Sequence, residues 1–376
     1  MTNHIQLIEA EAQRLGFCLF GVSAADRESQ SYQYYLEWIN KGYHAEMAYL
    51  STDRALYFRQ NTSRIMEGAK TVISLGVKYP KNSVSMNQTT HGKIAAYACG
   101  EDYHLSLVKS LNELVRFIET VSGREVSARV YTDTGPLLER ELAFQSGLGW
   151  IGKNSCLISQ KYGSYLLLCE IITDLVLERE TDVSQNHCGR CTRCIQACPT
   201  NCILPNNTID ASRCISYQTI ENKGIIPIEI REAVGTRIFG CDICQEVCPW
   251  NAGGRISAGL EHSMFKTQPE LMVVDIYDEL QLIPEKFTLK YKNTPIKRAK
   301  YQGFMRNLII AAGNTKDPIN VPRLCDLLSN AAYPMLQYHA AWSLRRIHNH
   351  QAINTLSAML KQTVDPLLRF EIESAL

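Results

Sequence analysis

The sequence predicts a chain in three parts: an α/β domain over residues 1–177, a cysteine-rich segment over 178–255, and a basic linker leading into an α-solenoid over 256–376. Three observations carry this reading. Strand-like and helix-like apolar patterns alternate through the first part, four cysteines crowd into "CGRCTRCIQACP" (188–199), and helical apolar stripes recur at an offset of 32 near the C-terminus. A length of 376 residues exceeds the roughly 100–200 of one domain, and 45% apolar with 20% charged residues is ordinary globular composition.

In the first part Ile5, Ile8, Ala12 and Leu15 recur at helical spacing, and "FCLFGVS" (17–23) and "TVISLGVKY" (71–79) read as strands, the second ended by Pro80 and a polar loop. Leu105, Val108, Leu111, Val115 and Ile118 place an amphipathic helix over 102–120. "ARVYTDT" (128–134) predicts a strand, and "PLLERELAFQSG" (136–147) a helix with proline in its first turn. "SYLLLCEIITDL" (164–175) closes the domain as a long strand. Gly147, Gly149 and Gly152 suit tight turns.

Fourteen cysteines in a large chain argue against a disulfide framework, which belongs to small secreted domains. The run Cys188-x2-Cys191-x2-Cys194-x3-Cys198-Pro is the bacterial ferredoxin spacing, in which three cysteines hold one 4Fe-4S cube and the fourth reaches to another. A second run, "CDICQEVCPW" (241–250), has Ile238 where its first cysteine would stand, and Cys214 is available for the vacancy. One cluster is therefore assigned to Cys188, Cys191, Cys194 and Cys248, and the other to Cys198, Cys214, Cys241 and Cys244, which leaves Cys202 over. Zinc competes for thiolate tetrads, but its sites space their pairs more widely. Two adjacent clusters conduct single electrons, so an acceptor is required in the first part of the chain. No G-x-G-x-x-G, no G-x-x-x-x-G-K-[ST] and no D-x-H-x-x-G loop is present to name it.

In the third part "PMLQYHAAWSL" (334–344) aligns with "PLLRFEIESAL" (366–376), "VPRLCDLL" (321–328) with "INTLSAML" (353–360), and "QGFMRNLIIAA" (302–312) falls one period earlier. Paired helices at this period indicate HEAT-like repeats. The last repeat breaks off at Leu376, so a short further piece is expected. Net charge is only +1, yet residues 286–306 carry seven Lys or Arg and no acid. Lys290, Lys292, Lys297, Arg298 and Lys300, with Arg345 and Arg346 as a second patch, suit a polyanion, and the interleaved Phe287, Tyr291, Tyr301 and Phe304 could stack on unpaired bases or could be core. The N-terminus has no secretory pattern and no apolar run reaches the ~20 residues of a membrane span, which points to a cytoplasmic protein without a membrane partner.

The segments "YACGEDYH" (97–104) and "YTDTGPLLERELAFQSGLGWIGKN" (131–154), the double cluster run and the HEAT-like tail together resemble the epoxyqueuosine reductases over nearly the whole chain. That resemblance implies reduction of the epoxide of epoxyqueuosine, at the wobble position of tRNA anticodons, to queuosine. It implies base-off cobalamin fed by two 4Fe-4S clusters, which a small donor protein or reductant would charge. It implies Asp133 as the proton donor, a role that competes with simple capping of the helix after Pro136. It also implies Tyr97 and Cys99 near the corrin, Cys99 being otherwise a packed thiol, with Lys153, Asn154, Ser155 and Ser159 as further corrin contacts. A related reductive dehalogenase predicts an export signal or membrane partner and gives the basic stretch no task, while an electron-transfer subunit or an iron-sulfur RNA-binding module predicts no corrin.

Overall fold

The protein is described by a computed structural model covering residues 2–81, 90–179, 183–255, 257–260, 263–330 and 332–373. The loop after Pro80 lies largely outside the described residues, as do the final three residues of the last repeat. Packing divides the chain into two units, each assembled from three stretches: 1–81, 100–212 and 242–266 in the first, and 82–99, 213–241 and 267–376 in the second. This grouping differs from the linear division at 177/178 and 255/256. The two cysteine runs are split by a stretch that packs with the solenoid.

The first unit is built on a four-stranded sheet. Helix α1 (Thr2–Arg14) leads into β1 (Leu19–Ala24), followed by β2 (Thr71–Lys78), α2 (Tyr103–Ser122), β3 (Ala128–Tyr131), α3 (Glu139–Gln145) and β4 (Leu166–Thr173). The strand order is β1-β2-β4-β3, antiparallel at every step, with Leu19 opposite Gly76, Thr71 opposite Thr173 and Ala128 opposite Thr173. Every residue of β2 is buried, which explains its near-continuous apolar run: a central strand covered on both faces has no solvent face to alternate toward. Helix α2 buries Tyr103, Leu107, Leu111, Leu114 and Ile118, and stops at Gly123, whose φ of 66° no branched residue would accept cheaply.

Helix α3 begins at Glu139, three residues later than proline placement predicts, so Asp133 caps no helix at Pro136. The reading of the following glycines as turns holds for Gly147, whose φ is 77°. Gly149 instead permits a close approach, since a Cβ there would lie 2.2 Å from the Ile158 carbonyl oxygen. Beyond β4 the short helices Arg193–Ala197 and Ile243–Glu246, one from each cysteine run, pack together. Buried Asn251 ties this segment to the sheet region by donating to Ser164 Oγ (2.9 Å) and the Gln245 carbonyl (2.8 Å).

In the second unit strand His91–Ile94 pairs in parallel with Arg237–Phe239 and antiparallel with Val274–Asp275. The solenoid helices are α4 (Lys300–Thr315), α5 (Val321–Asn330), α6 (Pro334–Ile347), α7 (His350–Gln362) and α8 (Pro366–Glu373), in the expected register. Helix α4 is buried almost all round. Its Arg306, fully enclosed, donates to the carbonyls of Gln218 (2.6 Å), Asn222 (3.0 Å) and Gly224 (2.6 Å), and Asn307 donates to those of Thr219 and Ile238. Burial lowers the Arg306 guanidinium to about 9. These bonds satisfy carbonyls at a helix end, in a loop and on a strand that would otherwise be orphaned beside an apolar helix. Arg231 and Glu371 form a second buried, two-pronged pair at 2.9 and 2.7 Å.

Candidate functional site

The 131–154 segment, with the start of α2, gathers a cluster of ionisable groups in the first unit. Asp102 caps α2, accepting from the His104 backbone N–H at 3.2 Å, and the same oxygen lies 2.7 Å from His104 Nδ1. His104 Nε2 is thereby aimed at Asp133, 3.8 Å from Oδ2, and Tyr103 donates its hydroxyl to that oxygen at 2.8 Å. The Tyr103 and His104 rings stack at 4.1 Å. Burial disfavours a charged His104, but its bonds to Asp102 and Asp133 outweigh this and raise its pKa to about 9. The imidazole is thus cationic at neutral pH.

Asp133 is exposed and sits in the left-handed region at φ 54°, just past the end of β3. Its backbone N–H donates to Glu139 Oε1 at 2.7 Å. Burial, and then the charge of Asp133, push the Glu139 carboxyl up to about 8. Glu170, on β4 opposite Ser74 of β2 and Tyr131 of β3, is fully buried, and neither of its oxygens has a hydrogen-bond partner among the described residues. Burial, with the charges of Glu139 and Asp133, raises its pKa well above the carboxylate range. The cluster can hold, position and deliver protons at an open, polar surface.

Of the cluster ligands, Cys188, Cys191, Cys194, Cys198, Cys244 and Cys248 lie in the first unit, and Cys214 and Cys241 in the second. All eight are partly buried. Cys248 is raised chiefly by burial and further by the charges of Cys188, Cys194 and Cys191, the three thiols assigned with it to one cube. Among the described residues no group of His, Cys, Asp or Glu is gathered tightly enough to grip a single metal ion. Cys202 lies 3.4 Å from Cys198, sulfur to sulfur, and this contact above all lowers Cys198 to about 4. The leftover cysteine therefore serves an assigned ligand.

The candidate corrin contacts divide. Lys153 Nζ donates to the Gly189 and Cys191 carbonyls at 2.8 and 2.9 Å, so two of its three N–H donors brace the cysteine loop. Cys99 is a packed thiol in an apolar core, its sulfur 3.6 Å from the Ala95 and Leu271 carbonyls. Tyr97 is partly buried, its ring 6.4 Å from Phe239. Ser155 donates to the Asn207 carbonyl, and Ser159 pairs through its backbone with Gly163. Asn154 fits best: it is buried, and its Nδ2 has no partner among the described residues, a donor free for the amides that rim a corrin.

The basic stretch departs from expectation in two ways. Acidic partners exist: Lys290 pairs with Glu279, Arg298 with Glu221 at 2.9 Å, and Arg346 with Glu232 at 2.9 Å. Phe287, Tyr291 and Phe304 are buried and pack on one another, and Tyr301 donates its hydroxyl to the Leu282 carbonyl, so the aromatics form core and not a stacking surface. Lys292, Lys297, Lys300 and Arg345 are exposed.

Sequence reasoning did not single out Tyr103, Glu139 or Glu170. The signal for Glu170 was a lone carboxylate inside the apolar run "LLLCEIIT".

Comparison with known proteins agrees with this architecture. Residues 59–134 match the family model described as epoxyqueuosine reductase QueG, DUF1730, residues 187–251 a 4Fe-4S double cluster binding domain, and residues 302–376 HEAT repeats. The chain is 39% identical over 308 residues to the epoxyqueuosine reductase of Cyclobacterium marinum, covering 81% of this chain and 96% of that protein. It resembles a crystal structure of epoxyqueuosine reductase with a tRNA-Tyr epoxyqueuosine-modified stem loop at a TM-score of 0.88 and 26% identity, covering 98% and 97% of the two chains. A Bacillus subtilis epoxyqueuosine reductase, whose catalytic aspartate loop is swung out of the active site, matches with a TM-score of 0.88 at 27% identity over the same shares. The chain belongs to the epoxyqueuosine reductase family and is an oxidoreductase.

Proposed function

We propose that the chain removes the epoxide oxygen of epoxyqueuosine at the wobble position of a tRNA anticodon, using electrons delivered through two 4Fe-4S clusters to cobalamin. The observation that carries the reading is the Asp133 cluster: an exposed carboxyl at the end of a turn, supported by Tyr103 and His104. Converting an epoxide to an alkene and water consumes two electrons and two protons. When bound, cobalamin supplies a reducible cobalt centre, and the clusters supply electrons one at a time.

The chain's residues account for the protons. Asp133 is placed to protonate the opening oxygen, and His104, cationic at neutral pH, stands beside it to replenish the proton. Asn154 is the best-supported corrin donor, and Ser155, Ser159 and Tyr97 remain candidates. Lys292, Lys300 and Arg345 are the exposed cations offered first to tRNA phosphates, with Lys297 also exposed, and Lys290, Arg298 and Arg346 engage RNA by sharing their acidic partners. A substrate of this kind places the protein in the cytoplasm, with a small electron-donor protein or reductant as its second partner. Among the described residues no helix is long and apolar enough to cross a membrane.

The test is anaerobic turnover of an epoxyqueuosine stem loop by protein reconstituted with iron, sulfide and cobalamin, read by mass spectrometry as loss of one oxygen. Asp133→Asn should lower kcat by roughly 10²-fold or more while stem-loop affinity stays unchanged. Full turnover by this variant would remove Asp133 from the chemistry.

A further inference from the structure

Asp133 occupies a left-handed backbone conformation, and its side chain is exposed, so little packing holds the turn in place. Among the described residues, three groups reach Asp133. Tyr103 and His104 address the carboxyl, and neither restrains the main chain. Among the described residues, Glu139, on the first turn of α3, accepts the Asp133 backbone N–H. We propose that Glu139 is a positioning residue, whose carboxyl oxygen pins the main chain of Asp133 and so keeps the acid carboxyl beside Tyr103 and His104.

The surroundings of Glu139 suit this task and little else. Glu141, two residues on, serves ordinary structure, accepting from the Gln30 and Ser31 backbone N–H groups and from Gln145 Nε2. Glu139 spends an oxygen on one turn. Behind it stands Glu170, enclosed in the sheet with both oxygens unpartnered among the described residues. The charged groups that act on Glu139 are Asp133 from the turn, Arg140 from its own helix and Arg59 from helix Asp53–Gln60. Arg140 Nη1 is already donated to the Ser155 carbonyl at 2.6 Å, and the Arg59 guanidinium lies over the Tyr35 ring at 5.5 Å. No cation closes directly on either carboxyl among the described ion pairs. Two acids without a cation keep their protons, and a neutral carboxyl still offers a carbonyl oxygen to an N–H. The pin therefore acts by acceptor reach and needs no negative charge.

This inference rests on the proposed function, and three substitutions test it against that function. Glu139→Gln keeps an acceptor oxygen at the same reach. Glu139→Asp keeps the carboxyl and withdraws it by one methylene, and Glu139→Ala removes it. On the epoxyqueuosine stem loop Glu139→Gln should stay within about threefold of the parent kcat, while Glu139→Asp and Glu139→Ala fall at least about tenfold with KM little changed. Adding Glu139→Asp to Asp133→Asn should slow turnover by less than about twofold further, since the pin acts only through Asp133. Parent-like turnover in Glu139→Asp, or loss in Glu139→Gln equal to that in Glu139→Asp, overturns the pin. Should Glu139→Ala fail to fold, the Gln and Asp variants decide alone. Absence of turnover in the parent protein would instead defeat the proposed function.

Discussion

Two residues of the acid cluster make stability depend on pH in a defined sense. Glu139 is raised in the folded chain from an ordinary 4.5 to about 8, so the stability it contributes is complete below about pH 4.5 and is lost as pH rises through about 8. Glu139→Gln cannot ionise. Its melting temperature, relative to the parent, should therefore rise steadily between about pH 5 and pH 8.5. His104 is raised from 6.5 to about 9, so its contribution is whole below pH 6.5 and disappears as pH climbs through about 9. His104→Gln should be most destabilised at acid pH and match the parent near about pH 10; a deficit independent of pH would show that the ring acts by packing alone. At this scale the sequence was partly legible. Asp133 was proposed through the resemblance, seven cysteines through spacing, and Cys214 only because it was available for the vacancy at Ile238. Glu139 and Glu170 were not, because an acid's role depends on which main-chain group folds onto it, and β3, α3 and β4 meet only in three dimensions.

Elements were read best where period and burial coincide. The solenoid helices follow their apolar stripes and β2 its apolar run, whereas α2 forms where its period placed it but buries Leu107 and Leu114 with Leu111 and Ile118 and leaves Leu105 exposed. Helix α3 was misjudged at its start, since a proline permits a first turn without compelling one. The basic stretch was misjudged more deeply. Local composition showed cations without acids, yet Glu221 and Glu232 approach from distant parts of the sequence and Glu279 from just ahead of the stretch. These pairings rank the cations. Lys292→Glu with Lys300→Glu should weaken stem-loop binding and reduce the slope of log affinity against log salt by about one per lost phosphate contact. Unchanged affinity in a filter-binding or fluorescence titration would exclude this face of the solenoid from the RNA.

For the whole molecule, the cysteine runs announced the double 4Fe-4S domain and the 32-residue period announced the solenoid, but the grouping of stretches was illegible. Spacing reports local geometry, and nothing local in residues 213–241 says that they pack with α4 and not with the cysteines flanking them. The first unit needs residues 242–266 to be complete. A fragment ending at residue 177 should therefore lack a cooperative thermal transition, whereas independent two-state melting of that fragment would restore the linear division. The proposed assignment of Cys248 with Cys188, Cys191 and Cys194 to one cube also sets a timetable for maturation. On the ribosome the first three thiols emerge about sixty residues ahead of the fourth, so for that interval of synthesis they are an incomplete and oxidisable set. Loading of that cube with iron must wait until about two thirds of the polypeptide has been translated.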